Sequence, residues 1–173
     1  MYRVILSFFL IASLVVIFGA TLLAQDDANS ASATCNFDED KQLVVQYQHV
    51  AVNLKKPVNG QVPFGKVWAP GGKAMVLFTN TPIQIGSRTL PIGAYNLYVI
   101  PNSKQWTLVV TKGTDVGASY SEQDDLIRVT TEAGELPSPE SNLTVSFAHV
   151  APQQCNIRID LDKYGHFAPI QQR

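Results

Sequence analysis

Hydrophobic and polar residues alternate with a period of two over much of the chain beyond residue 40. Residues 43–50 place Leu, Val, Tyr and His on one face and mix Gln with Val on the other, which is typical of a half-buried strand. Residues 94–100 and 106–110 are rich in aromatic and β-branched side chains and flank a Pro-Asn-Ser-Lys turn, so they predict a β-hairpin. The alternation over residues 155–161 puts Cys155 on the buried side.

Further runs of the same kind, separated by Gly and Pro turns, cover residues 74–79, 83–85, 126–131 and 143–150. No window of a dozen residues carries a helical stripe with capping residues, and residues 120–125 are expected to form no more than a short helical turn. About eight short antiparallel strands without βαβ spacing predict an all-β domain, either a single β-sandwich or a partly open barrel.

The N-terminus has the pattern of an export signal. Arg3 gives a positive charge, an almost unbroken apolar run covers residues 4–23, and acidic residues follow directly. The run is long enough to span a bilayer as an uncleaved anchor, since about 20 apolar residues suffice. Ala24 is the small residue that signal peptidase requires, so the pattern favours a signal peptide over residues 1–24 that is cleaved before Gln25. In both cases we expect an extracytoplasmic domain, in the periplasm or secreted.

The remaining chain divides into three parts. Residues 25–34 are polar without periodicity and predict a flexible linker. The β-sandwich domain is expected over residues 35–165, and a short C-terminal tail over residues 166–173. The net charge of −1 and the lack of a Lys/Arg cluster argue against nucleic-acid binding. Membrane contact is expected only through the N-terminal segment, if it is retained.

Two cysteines stand near the two ends of the predicted domain, Cys35 and Cys155. In an oxidising compartment an isolated pair usually forms a disulfide. Such a bridge would close a loop of about 120 residues and would stabilise the fold by roughly 5 kcal/mol in the chain-entropy model. A redox pair or a metal thiolate site is disfavoured, because neither the CxxC spacing nor further ligands are present.

A series of motifs runs through the domain in a specific order. They are Val-Pro-Phe-Gly-Lys-Val-Trp at 62–68, Ile-Gly-Ser-Arg-Thr-Leu-Pro-Ile-Gly-Ala-Tyr at 85–95, Leu-Tyr-Val-Ile-Pro at 97–101, Trp-Thr at 106–107, Tyr120, Asp-Asp-Leu-Ile-Arg-Val at 124–129 and Leu-Pro at 136–137. In these motifs the chain resembles the bacterial family called domain of unknown function 2911, over about residues 43–161. The resemblance implies an export signal followed by a β-rich domain, and it leaves the activity open.

Two stretches depart from the pattern of that family. The family continues its Lys-Val-Trp with Arg and a Gly-Ala-Asn stretch, whereas this chain has Ala-Pro-Gly-Gly-Lys at 69–73. The family also has Ser-Arg-Pro earlier in the domain, where this chain has Gln-His-Val at 48–50. If a family site uses those polar groups, this member has lost or changed it.

The chemistry expected of an enzyme is thinly represented. His49 and His149 each lie in phase with apolar neighbours, and on adjacent strands they could hold a metal ion with a carboxylate such as Asp160. Two histidines without a third ligand do not make a site, so hydrogen-bonded histidines at the edge of the core are the favoured interpretation. No Gly-x-Ser-x-Gly elbow marks an activated serine, and Gly71-Gly72-Lys73 lacks the rest of a phosphate loop. We therefore assign no catalytic residue and no cofactor.

Aromatic side chains offer the better prospect of a binding surface, because an exposed ring can stack on the apolar face of a sugar. Tyr95 and Tyr98 are three apart in one strand and are expected on opposite faces of the sheet. Trp68 and Trp106 are expected to fill the core, as large aromatic side chains usually do. The predicted ligand-binding residues are Trp68, Arg88, Tyr98 and Lys66, with Arg88 and Tyr98 preferred as surface positions.

These observations favour a non-catalytic binding or structural module of the cell envelope. Its expected partner is a small ligand, a glycan or an envelope protein. The alternative is a metal-dependent or hydrolytic extracytoplasmic enzyme that uses His49 and His149. Geometry separates the two hypotheses, since catalytic groups must lie within hydrogen-bond reach of one another beside a cleft.

Overall fold

The period-two pattern folds into strands over most of the described residues. The computed structural model of the protein describes residues 29–115, 117 and 119–173. Its strands are β1 (Ser30–Asp38), β2 (Lys41–Gln48), β3 (Met75–Thr79), β4 (Ile83–Ile85), β5 (Arg88–Leu90), β6 (Gly93–Ile100), β7 (Thr107–Thr111), β8 (Asp125–Thr130), β9 (Glu132–Ala151) and β10 (Gln154–Gln172). Single 3-10 turns lie at Val58–Gly60, Pro70–Gly72 and Glu122–Asp124, the last within the short turn expected over residues 120–125.

The strands form two antiparallel sheets. One sheet has six strands in the order β1-β2-β3-β6-β7-β8, and the other has four in the order β5-β4-β10-β9. Both sheets end in edge strands, so the predicted β-sandwich is confirmed and the sheets do not close into a barrel. The hairpin predicted over residues 94–110 is the β6–β7 pair, in register from Asn96 opposite Thr111 to Ile100 opposite Thr107.

The core lies between the inner faces of the two sheets. The six-stranded sheet contributes alternate residues such as Leu43, Leu97 and Leu108, and the four-stranded sheet contributes Ile157 and Ile159, all at most 2% exposed. Full burial of each such side chain stabilises the fold by about 1.5–3 kcal/mol. Trp106 is fully buried among them, as the sequence predicts.

One side of the sandwich is closed by a covalent bond. Strand β1 lies against β9 and β10, and Cys35 on β1 forms a disulfide with Cys155 on β10, with 6.5 Å between their Cα atoms. The predicted bridge is therefore present. The predicted linker over residues 25–34 is too long, because Ser30 to Thr34 belong to β1 and pair with β2.

The long β9–β10 hairpin corrects the other domain boundary. The two strands join through Pro152 and Gln153, and Gln153 has φ of 62°, so the turn needs only two residues. Strand β10 continues to Gln172 and pairs with β4 from Ile170 onward. The expected C-terminal tail is therefore a central strand of the second sheet. The expected signal peptide and its cleavage site lie outside the described residues, and no helix among the described residues is long and apolar enough to cross a membrane.

The outer face of the six-stranded sheet carries a second, smaller hydrophobic cluster. Ala74, Tyr98 and Val109 form its buried part, and Val67 and Tyr120 pack over them. Tyr95 belongs to the main core, so the prediction that Tyr95 and Tyr98 face opposite sides is confirmed.

Candidate functional site

A cleft of about 410 Å³ opens on the side of the sandwich away from the disulfide. It lies between the β4–β5 hairpin of the smaller sheet and β8, the edge strand of the larger one. Its lining residues are Ile85, Gly86, Ser87, Arg88, Leu126, Ile127, Arg128, Val129 and Thr130. A volume of this size is within the range of small-molecule and peptide sites.

The wall on the smaller sheet is shaped by a two-residue turn. Ile85 pairs with Arg88, and Gly86 and Ser87 connect them. Gly86 has φ of 59°, a left-handed conformation that glycine adopts without a steric penalty and that suits tight hairpins. The turn rests on β8, since a Cβ at Gly86 would lie 3.5 Å from Cγ2 of Val129. The turn therefore lies close to β8 at one end of the cleft.

The wall on the larger sheet carries a hydrogen-bonded group of three side chains. Arg128 donates from Nε to Asp125 Oδ2 over 2.5 Å and from Nη2 to the Tyr120 hydroxyl over 2.6 Å. Tyr120 donates in turn to the carboxylate of Asp125 at 3.0 Å. The hydrogen bond to Asp125 raises the pKa of Arg128, and burial raises the pKa of Tyr120. The group therefore holds Arg128 in one orientation and in its charged form.

The two arginines of the cleft differ in how their charges are balanced. Arg128 also lies 3.1 Å from Glu122, so two carboxylates of the protein offset its charge. Arg88 is exposed, and within the part of the chain that the structure describes no ion pair or hydrogen bond engages its guanidinium. The positive charge that a bound molecule meets in this cleft is therefore that of Arg88.

The four predicted ligand-binding residues do not come together. Arg88 lines the cleft, whereas Lys66 is exposed and Trp68 half-buried on a segment that hydrogen-bonds along β6, through the pair Trp68–Val99. Strands β6 and β7 separate that segment from β8. The half-buried Trp68 ring packs against the main core.

The preference for Tyr98 as a surface position is wrong. Tyr98 is 4% exposed, because Tyr120 covers it in an edge-to-face contact with 5.2 Å between the ring centroids. Burial raises the pKa of its hydroxyl. The period-two alternation of β6 predicts the correct face of the sheet for the Tyr98 ring. It does not predict that Tyr120 covers the ring, because the segment that carries Tyr120 has no periodic pattern.

The two histidines of the enzyme hypothesis are both exposed. His49 follows the end of β2, where its ring lies 6.3 Å from that of Tyr47, and His149 lies near the end of β9 opposite Cys155. Asp160 is buried on β10, where burial raises its pKa and Arg158 is its ionic neighbour at 3.4 Å. Among the described residues, no three His, Cys, Asp or Glu side chains group closely enough to hold a metal ion.

The buried histidine is His166, which sequence reasoning placed in the tail. Its ring stacks on Trp106 at 4.9 Å and lies 6.2 Å from Tyr164, and it is 1% exposed. Thr131 Oγ1 donates to the carbonyl of Trp106 at 3.0 Å, so it accepts from His166 Nδ1 at 3.2 Å. The ring proton therefore sits on Nδ1. Burial lowers the pKa of His166 from 6.5 to about 4.

Comparison with known proteins assigns the family. The chain matches the family described as protein of unknown function (DUF2911) over residues 28–170. It belongs to that family. The match covers both sheets and both walls of the cleft, and it confirms the resemblance carried by the motifs. Neither the curated proteins nor the solved structures contain a match to this chain.

Proposed function

We propose that this DUF2911 protein is a non-catalytic, extracytoplasmic binding module, and that its ligand carries an anionic group that Arg88 binds in the cleft between β5 and β8. The observation that supports the proposal is the unbalanced guanidinium of Arg88 on the wall of a 410 Å³ cleft. A guanidinium presents a fork of donors that matches a carboxylate or phosphate in two parallel hydrogen bonds.

Two further features fit a binding role outside the cytoplasm. The domain has a disulfide between Cys35 and Cys155. Disulfides persist in oxidising compartments and are rare in cytosolic proteins. The Gly86 turn is short and the Arg128 side chain is held by Asp125, so little ordering of the cleft lining is needed when a ligand binds. No observation favours the enzyme hypothesis, since His49 and His149 lie away from the residues of the cleft.

The proposal is tested by titrating the isotope-labelled protein with glutarate and recording backbone amide shifts by NMR. Glutarate supplies carboxylates, and its diamide supplies the same shape without charge. We expect saturable shifts confined to residues 85–88 and 126–130 with glutarate, and none with the diamide. The Arg88→Gln variant should lose them. The Lys55→Gln variant removes one exposed positive charge elsewhere and should keep them. Shifts that are absent, or equal in the two variants, would overturn the proposal.

A further inference from the structure

Strand β8 presents unpaired backbone groups to the cleft. Thr131 donates its N–H to the carbonyl of the directly opposite Trp106 at 2.9 Å, so this is a hydrogen-bonded pair of the β7–β8 ladder. Such pairs alternate along an antiparallel ladder, so Val129 and Ile127 also bond to β7. The N–H and C=O groups of Arg128 and Thr130 must then point away from β7, toward the open edge.

No strand of the described part of the chain lies beside this edge. β8 ends the six-stranded sheet, and within the described residues no backbone or side-chain hydrogen bond engages the outward N–H groups of Arg128 and Thr130. β5 stands across the cleft but belongs to the other sheet, and it is only three residues long. An open edge of this kind is a template for another extended chain, which satisfies the free groups by adding as a strand.

The charges near the β8 edge determine which kind of strand can pair with it. Arg128 is already paired with Asp125 and Glu122, whereas Arg88 faces the cleft and has no partner among the described residues. A strand lying on β8 directs alternate side chains to the same face. One acidic side chain on that face would pair with Arg88, and a basic one would be repelled by it.

We infer that the ligand of this cleft is an extended polypeptide segment with an acidic side chain, which pairs with the β8 edge as a seventh strand and places its carboxylate on Arg88. The inference rests on the proposed function and adds the class of ligand. Backbone pairing supplies the affinity in such complexes, and side-chain contacts supply the specificity.

The first test uses a designed peptide, acetyl-Thr-Val-Glu-Val-Thr-amide, and isothermal titration calorimetry with the full disulfide-bonded protein. Alternating N-methylation of the peptide backbone removes its donors along one edge and leaves its charge. We expect N-methylation to weaken binding by at least fivefold, since each lost hydrogen bond costs about that factor. Replacing Glu by Gln in the peptide, or Arg88→Gln in the protein, should weaken binding by about tenfold.

The second test addresses the protein edge. Thr130→Pro removes an outward N–H, and proline is tolerated on edge strands where that group faces solvent. We expect this variant to melt near the wild-type temperature and to lose at least fivefold in affinity for the peptide. Thr130→Val keeps the N–H and should bind the peptide as the wild type does.

Hydrogen exchange gives a readout that needs no variant. On binding the peptide, the amides of Arg128 and Thr130 should exchange at least tenfold more slowly, whereas those of Ile127 and Val129 are already bonded to β7 and should change little. If glutarate binds through Arg88 but N-methylation, Thr130→Pro and exchange show no effect, the strand inference is wrong and the proposed function stands. If neither glutarate nor the peptide binds, both are wrong.

Discussion

The stability of the protein should fall in mild acid because of His166. This ring is enclosed by Trp106 and Tyr164, and its only hydrogen bond among the described residues runs from Nδ1 to Thr131. A second proton would have to sit on Nε2, which is buried and has no hydrogen-bond partner among the residues that the structure describes. No carboxylate is among its contacts in the described part of the chain. The folded protein therefore disfavours the charged ring, which is why the pKa of His166 is lowered to about 4.

The sign and size of the effect follow from this pKa. Between about pH 4 and pH 6.5 the unfolded chain binds the proton and the folded protein does not, so stability rises with pH in this window. The full contribution is present above pH 6.5 and is lost as the pH falls toward 4. Each factor of ten in acidity corresponds to 1.4 kcal/mol, so the loss at pH 4 is about 3 kcal/mol.

The assay is urea unfolding at a series of pH values, comparing the wild type with His166→Phe. Phenylalanine keeps an aromatic ring against Trp106 and cannot titrate. Thr131 stays satisfied, because it still exchanges hydrogen bonds with the backbone of Trp106. We expect the wild type to lose about 3 kcal/mol more than the variant between pH 7 and pH 4. Equal pH dependence of the two proteins, or an NMR titration of His166 near 6.5, would refute the reasoning. Asp160 titrates in both proteins and cancels in the comparison.

Two further predictions concern the framework. Replacing both Cys35 and Cys155 by Ser should lower the free energy of unfolding by about 2–5 kcal/mol, and the wild type with reductant should match the double variant in urea unfolding. An unchanged midpoint would contradict it. Gly71→Ala should cost more than Gly72→Ala in thermal unfolding. Both residues have left-handed φ angles of 73° and 80°, a strain of about 1–2 kcal/mol for alanine, but only at Gly71 would the new Cβ lie 2.7 Å from Gln48 Cβ. Equal costs would show that the close approach is relaxed.

The strands that alternate cleanly could be predicted from the sequence, and those that do not were missed or cut short. Residues 155–161 keep one phase, so their inward face was assigned correctly. Beyond them Asp162 has φ of 54° and the pairing with β9 shifts twice, which breaks the phase and hides the rest of β10. Strand β1 starts with alternating Ser and Ala, which give too weak a hydrophobic signal to predict a strand. It is held by its pairing with β2 and by the disulfide, which are both long-range contacts.

The candidate site was predictable only in part. Arg88 follows a recognisable two-residue turn, so its exposure could be expected. The partnership of Asp125 with Arg128 could not, because residues three apart on a regular strand face opposite sides. The register of β8 shifts next to Asp125, which leaves Leu126 unpaired and turns both side chains toward each other. β-Bulges change the direction of side chains in this way, and the hydrophobic periodicity of a sequence does not predict where they occur.

The unequal widths of the two sheets explain why the cleft lies where it does. Six strands face four, so the sheets can meet edge to edge on one side only, and the disulfide and the contact of β1 with β9 fix that side. On the other side the larger sheet extends past the smaller one at β8, and the short β5 covers only part of the β8 edge. Proteins usually protect an open edge with unpaired charge that repels other strands. Here the charges of β8 itself are neutralised by the Asp125–Arg128 pair, so they do not repel an added strand. The charge of Arg88 then favours a strand with an acidic side chain.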